Sequence, residues 1–268
     1  MTLDLPRLAS WLRCPVCGAE LEPLAPLTLA CANGHRHDVN KRGYVSLLGG
    51  GTKHLGDTAE MLDARERVLG SGAYSPIAAA VASAITGERI VDAGAGTGYY
   101  LRAALAPSDA SGLAMDLSPS AVTRAVRSSE RIDGLVADTW RPLPVRTGVA
   151  DAVLDVFAPR NLPEFHRILR PGGMLVVVVP RGDHLGSLRA GGTMLDIPSD
   201  KAEDVITASE PLYALHSREP VAYELTLTDD LAAALAGMGP SARHPAAPTT
   251  ASPPATRVSV DVLRLTRH

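Results

Sequence analysis

The chain has 268 residues, of which 46% are hydrophobic and 21% charged, and its formal net charge is −3 at pH 7. This ordinary globular composition fits one or two domains and excludes a disordered chain, a coiled coil and a collagen-like repeat. The small negative charge argues against a protein that coats nucleic acid by bulk attraction. Aromatic residues, at 4%, leave few side chains for stacking on bases.

The sequence shows no segment for membrane insertion or export. No apolar run approaches the roughly 20 residues that cross a bilayer. The amino terminus also lacks the basic start and apolar core of a signal peptide. We therefore expect a cytoplasmic protein with no membrane partner, in a reducing compartment where clustered thiols more often bind metal than form disulfides.

All three cysteines lie in one short segment, in the pattern Cys14-x2-Cys17 followed by Cys31-x3-His35. Such hooks place two ligands each on a tight turn, and together they supply the four ligands of a closed, structural zinc site. The segment is too short to build its own core, which favours a metal over three buried thiols. His37 is the alternative fourth ligand. The spacing predicts structural Zn²⁺.

Basic charge is concentrated in the same part of the chain. Residues 1–56 carry six basic groups against four acidic ones. Three thiolates around a zinc ion would reduce this excess by one charge. The segment, with Arg36, Lys41 and Arg42, is therefore the candidate contact for a phosphate backbone.

Residues 57–85 follow helical spacing. Asp57 and Glu60 fit a capping box at the start of this segment. Pro76 suits the first turn of a second helix. We expect a helical linker.

A glycine-rich loop follows the next predicted strand. Residues 89–92 are apolar apart from their ends, and a predicted helix over 99–106 follows the loop. Glycines let a ligand approach the backbone, and the helix amino terminus offers unpaired N–H donors. Asp116 closes a second predicted strand, where an acid accepts the hydroxyls of a ribose. The candidate ligand-binding residues of this segment are Asp92, Gly94, Gly96, Thr97, Gly98 and Asp116.

The spacing Asp-x-Gly-x-Gly-x-Gly resembles the first motif of class I S-adenosylmethionine-dependent methyltransferases. A Rossmann-like binder of another nucleotide is the alternative. In the methyltransferase fold, the acid after the third strand, here Asp138, commonly reaches the adenine amino group. We expect an α/β, doubly wound parallel sheet of this Rossmann-like class. Its later parts are a fourth strand over 151–157, a turn over 169–173, a fifth strand over 174–179, strands near 223–227 and 257–265 around a helix over 229–238, and an exposed proline-rich loop over 244–254.

Zinc hooks, linker and core together resemble one family, the large-subunit (23S) ribosomal RNA guanine-N1 methyltransferases. The likeness covers nearly the whole chain and divides it into a zinc module over 1–50, a helical linker over 51–86 and a methyltransferase domain over 87–268. The family-like segments are 43–48, 56–65, 72–76, 157–159 and 183–185. The segments closest to the actinobacterial branch that includes macrolide (tylosin and mycinamicin) resistance enzymes are 160–161, 195–198 and 238–244.

The resemblance implies methyl transfer to a guanine of ribosomal RNA, with macrolide resistance as a possible role and a homodimer as a possible assembly. It implies zinc on the four hook residues already named. The S-adenosylmethionine contacts that it implies are Tyr74, Gly96, Thr97 and His184.

Methyl transfer from a sulfonium is an in-line displacement, so the enzyme mainly aligns the nucleophile, the methyl group and the sulfur. Guanine N1 carries a proton and is buried by pairing in a duplex, so the base must be unpaired and its proton needs a route. Asp155, near the end of the fourth strand, is the candidate acceptor, although a structural carboxylate is an equal explanation. Phe157 and Pro159 offer an apolar wall for the base.

Two other functions fit the acidic balance and the scarcity of aromatics. The first is a relative that methylates a small natural product, with the zinc module as a lid or dimer arm. The second is an RNA-binding protein that has lost its cofactor, against which the intact glycine loop and Asp116 argue.

Overall fold

The fold is that of a computed structural model, which describes residues 3–49, 51, 55–190, 201–239 and 253–268. The strands of these residues are β1 (Leu21–Leu24), β2 (Thr28–Cys31), β3 (Arg36–Asn40), β4 (Tyr44–Ser46), β5 (Arg89–Ala93), β6 (Ser111–Asp116), β7 (Ile132–Val136), β8 (Ala150–Val156), β9 (Leu169–Pro180), β10 (Tyr213–Thr226) and β11 (Ala255–Arg267). The helices are α1 (Leu5–Trp11), α2 (Ala59–Gly70), α3 (Ser75–Ser83), α4 (Tyr99–Leu105), α5 (Pro119–Ser128), α6 (Leu162–Ile168), α7 (Gly186–Ala190), α8 (Lys201–Ser209) and α9 (Asp229–Gly237). None of these helices is long and apolar enough to span a membrane.

The centre of the sheet is parallel. Strands β7, β6, β5, β8 and β9 lie side by side in that order, and β11 and β10 close the sheet as an antiparallel hairpin. Successive side chains of a strand face opposite sides, and Ile90 and Val91 accordingly belong to two separate apolar cores. The structure confirms the expected doubly wound α/β sheet. Because the chain leaves β5 in one direction and returns on its other side at β8, the topological switch point lies at the carboxyl end of β5, where such folds bind ligands.

The amino-terminal module continues the same sheet. Strands β1, β2, β3 and β4 pair antiparallel in sequence, and β4 then pairs parallel with β7. Helix α1 packs beside this junction, where the indole Nε1 of Trp11 and the guanidinium of Arg7 donate to the buried carboxylate of Asp133 in β7. The domain boundaries at 50 and 86 stay a prediction, but the module shares a core with the larger sheet.

The start of α2 differs from the expected capping box. Thr58, and not Asp57, is the N-cap, and its hydroxyl accepts from the N–H of Met61. Asp57 is one residue too early, and its carboxylate instead forms an ion pair with Arg65 at 2.6 Å. Pro76 lies in the first turn of α3, as predicted.

The fifth strand of the core, β9, begins earlier than predicted. Leu169 already pairs with Ala150, and the register shifts before Met174 pairs with Ala152. Gly172, at φ +71°, therefore belongs to an irregularity within the strand and not to a turn that precedes it. The closing hairpin and the helix α9 between its strands are confirmed. The segment 195–198, most of the segment 238–244 and most of the proline-rich tract lie outside the described residues.

We expect Asp133→Ala to lower the free energy of unfolding by about 2–4 kcal/mol, because it leaves a guanidinium and an indole N–H without their buried acceptor. Urea denaturation measures this loss. Asp63→Ala is the matched control, since Asp63 is 62% exposed in its ion pair with Arg124 and such pairs contribute less than about 1 kcal/mol. Equal losses in the two variants would contradict an anchoring role for Asp133.

Candidate active site and metal centre

The structure brings Cys14, Cys17, Cys31 and His35 together. One ligand atom from each lies within 4.8 Å of the others, with 3.7 Å between the sulfurs of Cys17 and Cys31. Two tight turns create this arrangement. In the first turn, the N–H of Gly18 donates to the carbonyl of Cys14. In the second turn, the N–H of Gly34 donates to the carbonyl of Cys31.

The donor set fits zinc. Three sulfurs and one imidazole nitrogen are the ligands of a closed structural zinc site. Thiolates are the binding form, and the backbone N–H of Ala19 lowers the pKa of Cys17 to about 6. His37, the alternative fourth ligand, has its Nε2 3.6 Å from the sulfur of Cys14 but does not belong to the group of four. The geometry therefore favours His35 as the imidazole ligand.

A cavity of about 510 Å³ lies at the carboxyl ends of the central strands. Its size falls in the range of small-molecule and cofactor sites. Most of the predicted cofactor and acceptor residues line it. They are Tyr74, Asp92, Gly94, Gly96, Thr97, Asp116, Asp138, Phe157, Pro159 and His184.

Two predicted residues lie outside the cavity. Gly98, at φ +77°, begins α4, and a Cβ there would come within 2.8 Å of the Cβ of Ala125. Its role is the close packing of α4 on α5. Asp155 is fully buried, and its closest cationic partner is Arg160 at 3.8 Å. It does not reach the cavity, so the geometry does not support direct proton transfer to Asp155.

The glycine loop is held by the carboxylate of Asp116. One oxygen accepts from the N–H of Gly96 at 2.9 Å, and the other accepts from the N–H of Ser118 at 2.8 Å. Gly94 has φ +84°, and a Cβ there would lie 2.5 Å from the Cβ of Ala158. A side chain at residue 94 would thus collide with the wall formed by the loop after β8.

Asp92 lies near the carboxyl end of β5, and Asp138 lies two residues after β7. Asp92 is buried, and burial, reinforced by the nearby Asp116, raises its pKa to about 7. Asp138 turns its Oδ1 to the N–H of Trp140 at 3.0 Å and thereby fixes the next two residues of the rim. Both carboxyl groups line the cavity.

Three rings surround that of Phe157. Its ring centroid lies 6.2 Å from that of Tyr74, 6.4 Å from that of Tyr100 and 6.0 Å from that of His184. Phe157 follows β8 directly and has φ +55°, a conformation that is uncommon for a bulky residue and that marks functional sites. The cluster turns one apolar face of this loop toward the cavity.

His184 is a neutral hydrogen-bond donor in this cluster. Its Nδ1 accepts from the backbone N–H of Ser259 at 3.1 Å, so its proton resides on Nε2, which faces the hydroxyl of Tyr74 at 3.4 Å. Burial lowers the pKa of His184 to about 4, so the ring stays uncharged at neutral pH.

Several other residues that line the cavity were not predicted from the sequence. Asp57 and Arg65 line the cavity, and Arg65 also donates to the carbonyl of Met238. Both belong to the family-like segment 56–65, which was the available signal for them. Tyr100 and Trp140 also line the cavity, and they lie two residues after the predicted site residues Gly98 and Asp138.

The charges of the cavity suit a cationic nucleoside. Four aspartates line it, at positions 57, 92, 116 and 138, against the single guanidinium of Arg65 among the described lining residues. S-adenosylmethionine carries a sulfonium, an ammonium, ribose hydroxyls and one carboxylate. Asp92, Asp116 and Asp138 can face the first three. Arg65, which also pairs with Asp57, is the guanidinium that can face the carboxylate.

Comparisons with known proteins agree with this geometry. A zinc-ribbon family described as "RlmA, N-terminal" matches residues 12–54, and a family described as "Methyltransferase domain" matches residues 90–173. A Micromonospora griseorubida protein assigned as a 23S rRNA (guanine-N1-)-methyltransferase is 42% identical over 266 residues, covering 89% of each chain. The Streptomyces fradiae 23S rRNA (guanine(748)-N1)-methyltransferase is 41% identical and covers 87% of this chain and 86% of its own.

Solved structures support the fold alone. The assigned methyltransferase in a complex with the Haloferax volcanii Trm112 methyltransferase activator has a TM-score of 0.53 at 18% identity. The match covers 79% of this chain and 100% of that chain. Together with the family matches, it confirms a class I methyltransferase fold with an amino-terminal zinc ribbon.

We expect about one zinc ion per chain in protein purified without chelators, and its loss in Cys31→Ala. His37→Ala is the matched control and should keep the metal, because His37 lies beside the four ligands without belonging to them. Elemental analysis decides both points. A metal-free protein with a folded amino-terminal module would contradict the zinc assignment.

We expect Asp116→Ala to weaken S-adenosylmethionine binding by roughly 1–3 kcal/mol, because it removes a partly buried acceptor. The structure adds that this variant also releases the N–H groups of Gly96 and Ser118. Asp116→Asn, which keeps one carbonyl oxygen, should lose less. Calorimetric titration measures the affinities, with the exposed Asp109→Ala as control. Unchanged affinity in Asp116→Ala would remove this residue from the site.

Proposed function

Because the chain belongs to the family of 23S rRNA guanine-N1-methyltransferases, we propose that it transfers the methyl group of S-adenosylmethionine to N1 of a guanine in large-subunit ribosomal RNA. The observation that carries the proposal is an identity of 41–42% that extends over nearly nine tenths of the chain and of two relatives. The zinc ribbon, the glycine loop and the acidic cavity support it.

The relative from Streptomyces fradiae is named for guanine 748, so we take the equivalent guanine as the first acceptor to test. The resemblance to macrolide-resistance enzymes extends the proposal to resistance. A cytoplasmic location and a homodimer that pairs two zinc modules across a cleft belong to the same proposal.

The residues of the cavity have separate tasks in this reaction. S-adenosylmethionine would supply the methyl group on its sulfonium. Guanine N1, once it has lost its proton to water, would attack that methyl group in line, and the broken carbon–sulfur bond leaves the neutral thioether S-adenosylhomocysteine. Asp116 and Asp138 would hold the nucleoside part of S-adenosylmethionine. Tyr74 and His184 would hold the far end of the cofactor. Phe157 and Pro159 would form the inner wall for the acceptor base.

Three exposed cations on the zinc module are the proposed contact for the RNA backbone. Arg36 lies in β3, and Lys41 and Arg42 lie in the turn that follows, all with exposed side chains. In contrast, Arg7 and Arg13 of the same module already pair with Asp133 and Glu164. Among the described residues of this segment, the β3–β4 hairpin thus presents the exposed cations that have no such carboxylate partner.

Methyl mapping tests the function. The chain is incubated with tritiated S-adenosylmethionine and either unmodified large-subunit RNA or a small-molecule extract of the host. A methyl group at N1 blocks the pairing edge of guanine, so reverse transcription should stop at the acceptor. Label in the extract alone would favour a natural-product methyltransferase, and label in neither would favour a protein without methyltransferase activity.

We expect neutralisation of Arg36, Lys41 and Arg42 together, each to Gln, to weaken RNA binding and to flatten its salt dependence, because fewer counterions are released. S-adenosylmethionine affinity should stay unchanged. The control replaces Arg67, Arg102 and Arg127, which are exposed on helices α2, α4 and α5, with Gln. Binding assays at several salt concentrations compare the two triple variants.

An equal loss in both triple variants would trace RNA binding to overall charge and not to the hairpin. Unaltered methylation by the first variant at moderate salt would show that the RNA contact lies on another surface.

A further inference from the structure

Trp140 is a large aromatic side chain exposed at the rim of the cavity. It is 55% exposed and lines the same cavity as Phe157, which is 40% exposed. An exposed indole loses the large stabilisation that burial of its apolar surface gives. The chain's other tryptophan, Trp11, is fully buried. Such exposure beside a ligand cavity is typical of a surface that receives a planar group.

Three hydrogen bonds to side chains fix the backbone around Trp140. Its N–H donates to Asp138 Oδ1 at 3.0 Å. The side-chain amide of Asn161 donates to the carbonyl of Thr139 at 2.8 Å and to that of Arg141 at 3.3 Å. The indole is therefore presented from a constrained loop, which lowers the ordering cost of binding a partner.

The same asparagine joins this loop to the acceptor wall. Asn161 caps α6, and it lies two residues after Pro159 in the loop that follows β8. The amide of Asn161 bonds to the residues on both sides of Trp140. It thereby connects the loop of Trp140 to the loop that carries Phe157 and Pro159. The glycine loop, which follows β5, approaches the cavity from another strand.

We propose that Trp140 stacks on the acceptor guanine and holds the unpaired base at the mouth of the cavity, while Phe157 and Pro159 contact it from inside. The inference rests on the proposed function. A base taken out of pairing loses its stacked neighbours, and an aromatic side chain replaces them. Stacking accepts every base, since each has a π-face, so Trp140 binds and orients the acceptor without selecting guanine.

Tryptophan fluorescence tests the contact directly. The full chain is saturated with S-adenosylhomocysteine and titrated with unmodified large-subunit RNA transcribed in vitro. Trp11 is buried beneath the guanidinium of Arg89, which lies 3.8 Å from the ring centroid. Trp140 is thus the tryptophan that RNA can reach, and RNA should quench the fluorescence of the wild type but not that of Trp140→Phe.

Kinetics test the consequence. We expect Trp140→Ala to raise KM for the RNA by about 5- to 100-fold, the factor expected for one lost base stack, and Trp140→Phe to retain most of the wild-type KM. The affinity for S-adenosylmethionine should not change in either variant. Leu215→Ala is the control, because it removes an exposed apolar side chain from β10 that does not line the cavity.

The outcomes separate this inference from the proposed function. A wild type that does not methylate RNA overturns the proposed function and the inference with it. Methylation by the wild type with an equal KM in Trp140→Ala overturns the inference alone. So does a weaker affinity for S-adenosylmethionine with an unchanged KM for RNA, which would place the indole on the cofactor, or quenching that persists in Trp140→Phe.

Discussion

The parallel pairing of β4 with β7 joins the zinc module to the methyltransferase sheet. Through β4 the zinc module becomes an outer part of the methyltransferase sheet, and through β7 the same pair leads to the cavity rim at Asp138 and Trp140. Beyond the strands, the guanidinium of Arg141 donates to the carbonyl of Gly51, so the rim also contacts the start of the linker. An RNA bound by the β3–β4 hairpin would therefore be positioned relative to the methyl donor by sheet geometry and not by a flexible hinge.

Some carboxylates of the cavity also hold the surrounding backbone in place. Asp116 does both, because its two oxygens fix the glycine loop while the side chain lines the cavity. Asp92 is stabilised in its protonated form by burial, with a pKa of about 7. A sulfonium placed beside such groups would favour their ionised forms, so binding of the cofactor and deprotonation of the cavity should reinforce each other.

Local patterns in the sequence predicted most of this fold, while contacts between distant segments did not follow from them. The Cys and His spacing, the strand-loop-helix around Gly94 and the acids at strand ends are all set by a few neighbouring residues. Asp155 shows the limit: β8 is flanked by β5 and β9 and covered on both faces, so a residue near its end is enclosed rather than exposed. Asp57 shows a second limit. Only the folded structure reveals that its carboxylate pairs with Arg65 and that Thr58 is the N-cap.

Composition alone also misjudged the aromatic residues. The chain has ten, which is few for a protein that handles bases, yet five of them line the cofactor cavity: Tyr74, Tyr99, Tyr100, Trp140 and Phe157. One tryptophan and one phenylalanine, Trp11 and Phe165, are fully buried in the core. The other two, Trp140 and Phe157, are exposed at the site. An average over the sequence cannot register this placement. Since stacking depends on where rings stand and not on how many a chain has, a low aromatic content is compatible with an enzyme that binds an unpaired base.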